Sequence, residues 1–459
     1  MNPSEQPGAL AQRMRHTPYQ AYSYSYPHKA AYRTLPEATP LAPLWAQQDR
    51  SALFAYIHIP FCAMRCGFCN LFAMARPSAD MVDRYVQQVL VQMRALDGAL
   101  GERRFARFAL GGGTPTYLSA AQLDTLLCGA RDILGIDLQA TPAGIEASPE
   151  TVTAANLAVC RAHGIDRVSL GIQSFAGAEM RALARPQQNA TVQHAIGLIR
   201  AAGFPTLNLD LIYGIAGQTV ASLLASIDSA LAFRPEEIYL YPLYVREQTG
   251  LGKVARRNGA ATLHPIALAQ DGDSRLALYA AARDHLRAQG YVQVSMRMFR
   301  APHAPDDAGP SYCCQDDGMV GLGAGARSYT AGLHYSSEYA VRRLETIGII
   351  EHYLALDAAR FAQAEHGYTL GAEDQQRRYV IQSLLTEPGL DTNAYMARFG
   401  SACLDDLPQL AELFALELAT QDGPLLHLNE RGYAYADTIG PWLASDTVRT
   451  LMAQTGHPC

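Results

Sequence analysis

Several things are missing from this sequence, and each absence narrows its chemistry. No stretch of eighteen apolar residues occurs, so nothing reads as a membrane-spanning helix. The first twenty residues, MNPSEQPGALAQRMRHTPYQ, hold no continuous apolar segment, and no secretory leader is expected. Basic residues form no long run and the formal net charge is −6, so a nucleic-acid backbone meets no electrostatic footprint. The glycine run Gly111-Gly112-Gly113-Thr114-Pro115-Thr116 is not GxGxxG, and no Gly-Lys-Ser/Thr follows it, which removes dinucleotide and P-loop phosphate binding. What remains is a protein expected in the cytoplasm, with no nucleic-acid or membrane partner and with its nine cysteines kept reduced.

The chain has 459 residues, 49% of them hydrophobic and 17% charged, enough for a large core and two domains with extensions. Between residues 53 and about 245, short apolar strands alternate with amphipathic helices. Strands are expected at Leu53–Ile59, Phe108–Gly112, Gly144–Ala147, Arg167–Ile172, Leu207–Tyr213 and Ile238–Leu243. Helices are expected at Asp80–Leu96, Ala120–Leu134, Thr151–Ala162, Val192–Ala202 and Val220–Phe233. That alternation predicts an α/β fold with a parallel sheet and right-handed crossovers. Periodicity alone fits a partial (β/α)6 barrel and an open doubly wound sheet equally. In both, chemistry collects at the C-terminal ends of the strands. The chemical-looking features obey that rule: the glycine run ends strand two, Glu146 ends strand three, Gln173 ends strand four and Asp210 lies on strand five.

Strand one ends at Pro60-Phe61, and three cysteines follow as Cys62-x3-Cys66-x2-Cys69. Three thiolates on one loop suit a soft metal centre, and cubane iron–sulfur clusters are held by cysteine thiolates. A structural zinc site would want four closed ligands, and a disulfide framework would be shorter and denser in cysteine. No fourth cysteine follows nearby, which leaves one iron of a [4Fe–4S] cluster open to a ligand that is not protein.

This loop strongly resembles that of the radical S-adenosylmethionine (SAM) superfamily, in which the open iron takes the amino and carboxylate groups of SAM. The flanking Tyr56-Ile57-His58-Ile59-Pro60-Phe61-Cys62 narrows the resemblance to the family of oxygen-independent coproporphyrinogen III oxidase, which also holds haem chaperones and two-SAM methyltransferases. The segments IEASPE, RVSLGIQSF, LARPQ and NLDLIYG match that family one by one. The likeness is good from residue 53 to about 330 and poor over residues 1–50.

The resemblance implies a partial (β/α)6 TIM-type barrel, a C-terminal winged-helix-like domain and two bound SAM molecules. Carried over by motif, Tyr56, Gly112 and Glu146 would serve the SAM on the cluster, with Arg327 as a further contact. Phe68, Gly113, Thr114, Gln173, Arg185 and Asp210 would serve the second, together with Tyr244. A guanidinium fork at Arg185 fits a methionine carboxylate, and Gln173 can both donate and accept. An electron donor such as flavodoxin or ferredoxin and a small-molecule substrate would be the partners. The chain departs from the oxidases at Leu71, where they carry a further cysteine. It departs from the haem chaperones at Cys314-Gln315-Asp316-Asp317-Gly318, where they carry His-Asn-x-x-Tyr-Trp. The expected outcome is therefore hydrogen abstraction with transfer of a carbon unit from the second SAM, with coproporphyrinogen decarboxylation or haem handover as alternatives.

The expected domains are a tyrosine-rich arm over 1–50, the barrel over 51–250, an accessory region over 251–370 and a cover domain over 371–459. The arm carries Tyr19, Tyr22, Tyr24, Tyr26 and Tyr32, either as packing area or as a lid. In the accessory region a helix is expected over Arg275–Ala288 and a strand over Tyr291–Phe299. In the last domain helices are expected at Gln375–Leu385, Thr392–Phe399, Leu404–Leu418 and Trp442–Met452. A hairpin of Leu425–Leu428 with Tyr433–Ala436 would complete it. Cys313 and Cys314 offer a fourth ligand, a redox pair or a hydrogen-atom donor, against the commoner inert role. Cys128, Cys160, Cys403 and Cys459 are expected to be structural.

Overall fold

Runs of β-branched and aliphatic residues bounded by capped helices build the larger part of the molecule. The computed structural model describes residues 8–16, 18–21, 25–257, 273–306 and 318–455. They fold as two compact units, one of residues 34–265 and 301–367, the other of residues 1–33, 266–300 and 368–459.

The first unit is organised on six parallel strands: β1 Leu53–Ile59, β2 Phe105–Gly112, β3 Ala143–Ala147, β4 Arg167–Gln173, β5 Thr206–Tyr213 and β6 Glu237–Pro242. They hydrogen-bond in sequence order, β1 through β6. Helices α1 Ala79–Leu100, α2 Ala120–Asp132, α3 Ala154–Ala162, α4 Asn189–Ala201 and α5 Val220–Leu231 make the crossovers. Capping fixes where they start. Ser78 caps α1, and full capping boxes open α2 (Ser119 with Gln122), α3 (Thr153 with Asn156) and α5 (Thr219 with Ser222). In α1 the buried residues Val82, Tyr85, Val86, Val89, Met93, Leu96 and Leu100 recur at helical spacing and form the face turned to the sheet. This is the partial (β/α)6 barrel, with every crossover returning the chain to the same strand end.

The sheet continues on the other side of β1. Strand β7 (Met319–Leu322) lies parallel to β1, and β8 (Arg327–Tyr329) and β9 (Leu333–Ser336) follow antiparallel. Gly321 sits beside Tyr56 in that register. This seventh parallel strand, the second partner of β1, was not among the expected strands. The strand is only four residues long, and the glycines and alanines of residues 323–326 that follow carry little β signal, so the run reads as a loop.

The second unit is helical, with a small sheet. Helices Ala372–Leu384 and Thr392–Phe399 stand where they were expected. The expected helix over Leu404–Leu418 breaks at Pro408 into Cys403–Asp406, a 3₁₀ turn Pro408–Leu410 and Ala411–Ala415. The expected hairpin partner Tyr433–Ala436 is also corrected. Asn429 accepts from the Gly432 amide and starts helix Glu430–Ala434, and Leu425–Leu428 pairs with Ala419–Asp422 on one side and Leu390–Asp391 on the other. The helix placed at Trp442–Met452 is two, Ala436–Trp442 and Asp446–Gln454, with Ser445 capping the second. Strand Tyr291–Phe299 is likewise two short antiparallel pieces, Val292–Gln293 and Met298–Arg300. Tyr26 of the arm is buried in this unit, donating to Asp374 at 2.6 Å.

Candidate cofactor site

The cysteine loop is tied down on both flanks by backbone hydrogen bonds. Met74 N–H donates to Pro60 at 2.7 Å, Arg76 N–H to Cys62 at 3.0 Å, and Gly67 N–H to Leu183 at 3.1 Å. Cys62, Cys66 and Cys69 are free, partly buried thiols that line one cavity of about 180 Å³. Burial pushes the Cys62 thiol up to about 12 and the Cys66 thiol up as well, so metal entry must displace protons.

Sulfur spacing bears on whether the loop suits a single ion or a cluster. Among the described residues, Asp124, Cys128 and His163 form the only group of three or more possible metal ligands with donor atoms all within 4.8 Å of one another. At least one pair of the loop sulfurs therefore lies more than 4.8 Å apart, whereas one tetrahedral zinc brings its thiolates to roughly 3.8 Å apart. A cubane, with its irons at separate corners, matches the wider set. The Asp124 group lies on outer helices, where His163 pairs with Asp124 at 2.7 Å and the Arg131 guanidinium stands 3.7 Å from Cys128. That neighbouring positive charge opposes a cation there.

Opposite the cysteines, the end of β2 supplies bare backbone. Gly112 has φ of +116°, open to glycine, and a Cβ there would strike the His58 ring at 2.7 Å. A Cβ on Gly113 would meet Phe61 O at 2.8 Å and Cys62 Sγ at 3.0 Å, so the missing side chain lets β2 close onto the loop. Thr114 Oγ1 donates to Cys62 Sγ at 3.4 Å. Glu146, at the end of β3, accepts from the Gly112 amide at 2.9 Å, and this holds its carboxylate toward the cavity.

The wall made by β4 and β5 is more polar. Gln173 sits at φ of +65°, where the β4–β5 register shifts between Gly171 and Gln173. A non-glycine residue in that region is strained, and such strain collects at functional sites. Arg185 is buried and donates from Nη2 to Gly171 O at 2.8 Å and to Ser148 Oγ at 3.2 Å. Its Nη1 reaches Cys66 Sγ at 3.7 Å. Asp210 accepts from Asn208 at 2.7 Å, and burial raises its pKa to about 6.

Of the residues singled out in the sequence, the three cysteines, Phe68, Gly112, Gly113, Thr114, Glu146, Gln173, Arg185 and Asp210 line this cavity. Tyr56, Tyr244 and Arg327 do not. Tyr56 Oη lies 3.5 Å from His58 Nδ1 in the row beside Gly321, Tyr244 stacks under Arg246, and Arg327 stands over Tyr329. Cys313 and Cys314 lie outside the described residues. Sequence reasoning missed Arg65, Ser148, Glu150, Ser169 and Gly171, which line the cavity too. Small polar residues beside a recognised motif carry no signal of their own; strand alternation would have found Ser169 and Gly171, two and four residues after Arg167 on one face of β4.

Residues 56–230 match the radical SAM superfamily. The chain is 24% identical over 387 residues to the haem chaperone HemW of Lactococcus lactis, covering 84% of this chain and 95% of that protein. It is 26% identical to the oxygen-independent coproporphyrinogen III oxidase of Bradyrhizobium diazoefficiens, covering 87% and 90%. Residues 56–230 carry a radical SAM domain, and most of the chain is similar to HemN-like proteins. The solved coproporphyrinogen III oxidase (HemN) of Escherichia coli has the same fold, at a TM-score of 0.71 and 22% identity over 90% of this chain and 96% of that one. As a member of the superfamily the chain is an enzyme whose cofactors are a [4Fe–4S] cluster and SAM. Its wide-set soft donors and the amine- and carboxylate-binding groups opposite them fit that pair. Among the described residues no helix is long and apolar enough to cross a membrane.

Proposed function

We propose that this enzyme couples hydrogen abstraction from a small organic substrate to transfer of a carbon unit from a second SAM. When bound, the cluster and the first SAM supply the electron and the 5′-deoxyadenosyl radical for that chemistry. The observation that carries the reading is the two-sided polarity of the cavity, with Gly112 and Glu146 on the β2–β3 wall and Gln173, Arg185 and Asp210 on the β4–β5 wall.

Cys62, Cys66 and Cys69 hold three irons. Glu146 and the backbone carbonyl at Gly112 would accept from an ammonium group or ribose hydroxyls, whereas Tyr56 and Arg327 lie outside the cavity lining. On the other wall Arg185 would take a carboxylate, Gln173 and Asp210 would hold ribose or amine, and Phe68, Gly113 and Thr114 would complete the second station. Tyr244, stacked under Arg246, lies outside the cavity lining. Holding both molecules against the same strand ends would fix their orientation, the protein's share in such chemistry. A flavodoxin- or ferredoxin-type donor supplies electrons.

Anaerobic turnover of the reduced enzyme tests this. Both 5′-deoxyadenosine and S-adenosylhomocysteine are expected, and Arg185→Ala or Asp210→Ala should remove the second product in preference to the first. An unchanged product ratio rejects the two-SAM assignment. The relatives covering more than four-fifths of the chain favour a second reading, decarboxylation of coproporphyrinogen or haem binding. Carbon dioxide released from coproporphyrinogen would establish the former. A Soret band on haem titration without deoxyadenosine turnover would establish the latter. Against decarboxylation stands Leu71, 44% exposed at the cavity where a cysteine is expected in those oxidases.

A further inference from the structure

Arg65 sits in the cysteine loop immediately before Cys66, and it lines the cavity together with all three cysteines. Its Nη2 is buried and has no hydrogen-bond partner among the described residues. Leaving a buried charged donor unsatisfied costs on the order of 1–3 kcal/mol or more, so such a group points to a partner that arrives with a ligand. The other arginine of the cavity differs. Arg185 already gives hydrogen bonds to Gly171, Ser148 and Gln187 and pairs with Glu150 at 3.7 Å.

Two anions could answer Arg65, the cluster with its sulfides and thiolates, or the carboxylate of a bound SAM. Chain position favours the cluster. Cα atoms of adjacent residues are about 3.8 Å apart, so the Arg65 backbone is carried on that of a cluster ligand whatever occupies the rest of the cavity. Reducing the cluster adds one negative charge within a low-dielectric pocket. Hydrogen bonds to sulfur and nearby positive charge both favour that state.

Resting on the cluster assignment above, we infer that Arg65 is a positioning residue for electron entry: it donates to cluster sulfur and raises the potential of the one-electron reduction that an external donor must perform. The test uses the full chain with its cluster reconstituted anaerobically, without SAM. Redox-dye titration is followed by the EPR signal of the reduced cluster. Arg65→Gln with a full complement of iron and sulfide should titrate at a more negative midpoint, by about tenfold in the reduction equilibrium, ~59 mV for one electron. Arg65→Lys, which keeps the charge and loses the fork, should fall between it and the wild type. An unchanged midpoint in Arg65→Gln overturns the inference. So does an unchanged midpoint with weakened SAM binding, which would give Arg65 to the cofactor carboxylate. Should Arg65→Gln take up no iron, Arg65→His read at pH 6 and pH 8 replaces it: a steeper fall of midpoint with pH than in the wild type supports the role, and an equal slope overturns it. A wild-type protein that takes up no cluster would instead sink the underlying cofactor assignment.

Discussion

Arg185 divides its guanidinium between metal loop and sheet: Nη1 stands 3.7 Å from Cys66 Sγ, and Nη2 donates to the Gly171 carbonyl at 2.8 Å. A lysine keeps the charge but cannot span both, because its ammonium is a point donor. On the proposal that the same guanidinium also takes the carboxylate of the second SAM, Arg185→Lys should weaken binding of that molecule by roughly 10- to 100-fold, the worth of one or two charge-assisted hydrogen bonds. The SAM on the cluster should be unaffected. Equilibrium dialysis of cluster-loaded protein checks it. Equal affinity would mean that the fork serves the loop and not the cofactor.

Each cluster cysteine should be individually indispensable. Three protein ligands leave one iron open, and removing another leaves two. Cys62→Ala, Cys66→Ala and Cys69→Ala are expected to purify with little iron and sulfide and to form no deoxyadenosine above background. Cys128→Ala, on an outer helix, should keep wild-type iron content. A full, active cluster in any of the first three would place a ligand elsewhere in the chain.

The barrel was legible because its strands are short apolar runs ended by turn residues, and each capping Ser or Thr marks a helix start. Strand bounds moved by a few residues, as for β2, which begins at Phe105 and not at Phe108. The cysteines, Glu146, Gln173, Arg185 and Asp210 were legible together because one strand end collects them. Strand β7 was not, since Met319–Leu322 is only four residues long and runs straight into the glycine-rich stretch that masks it. The hairpin of the second unit was misplaced because Tyr433–Ala436 is aromatic and small, while the Asn429 cap that starts a helix there reads equally as a turn. Arg65 was overlooked because a lone cation between motif cysteines has no pattern; the burial of its Nη2 emerges only with the fold.

Gly113 should tolerate no side chain. Its Cβ would press on Phe61 O at 2.8 Å and on Ile59 O and Cys62 Sγ at 3.0 Å, two of them backbone atoms that cannot swing aside. Gly113→Ala is expected to cost about 1–3 kcal/mol. Because the displaced segment carries Cys62, iron content should fall along with the denaturation midpoint. Stability lost with iron retained would show that the loop adapts.

Arg297 and Asp437 form a buried ion pair in the second unit, each side chain 2% exposed. Removing one partner leaves a charge stranded away from water. Arg297→Met is therefore expected to destabilise the protein by about 3–5 kcal/mol, and Arg297→Met with Asp437→Leu to recover much of it. Urea unfolding of these two variants and of Asp437→Leu alone completes a double-mutant cycle and measures the coupling. A double variant as unstable as the single would mean that packing, not stranded charge, sets the cost.

Asp210 links function to a stability penalty with a defined pH signature. Burial raises its folded pKa to about 6 from an ordinary value of 3.8, so the folded state holds this proton more tightly than the unfolded chain does. Stability from that proton is fully present below the unfolded value and is lost as pH rises through about 6. Asparagine does not titrate and keeps an oxygen to accept from Asn208. Without SAM, the melting temperature of Asp210→Asn relative to wild type should therefore climb between pH 4 and pH 7 and level off above. The same variant should lose S-adenosylhomocysteine production, because the ionised carboxylate is the form that accepts from a ribose or an ammonium group. A melting difference that is flat with pH would mean that Asp210 is charged in the folded state across the whole range, its burial offset by the hydrogen bonds from Asn208 and Ser169.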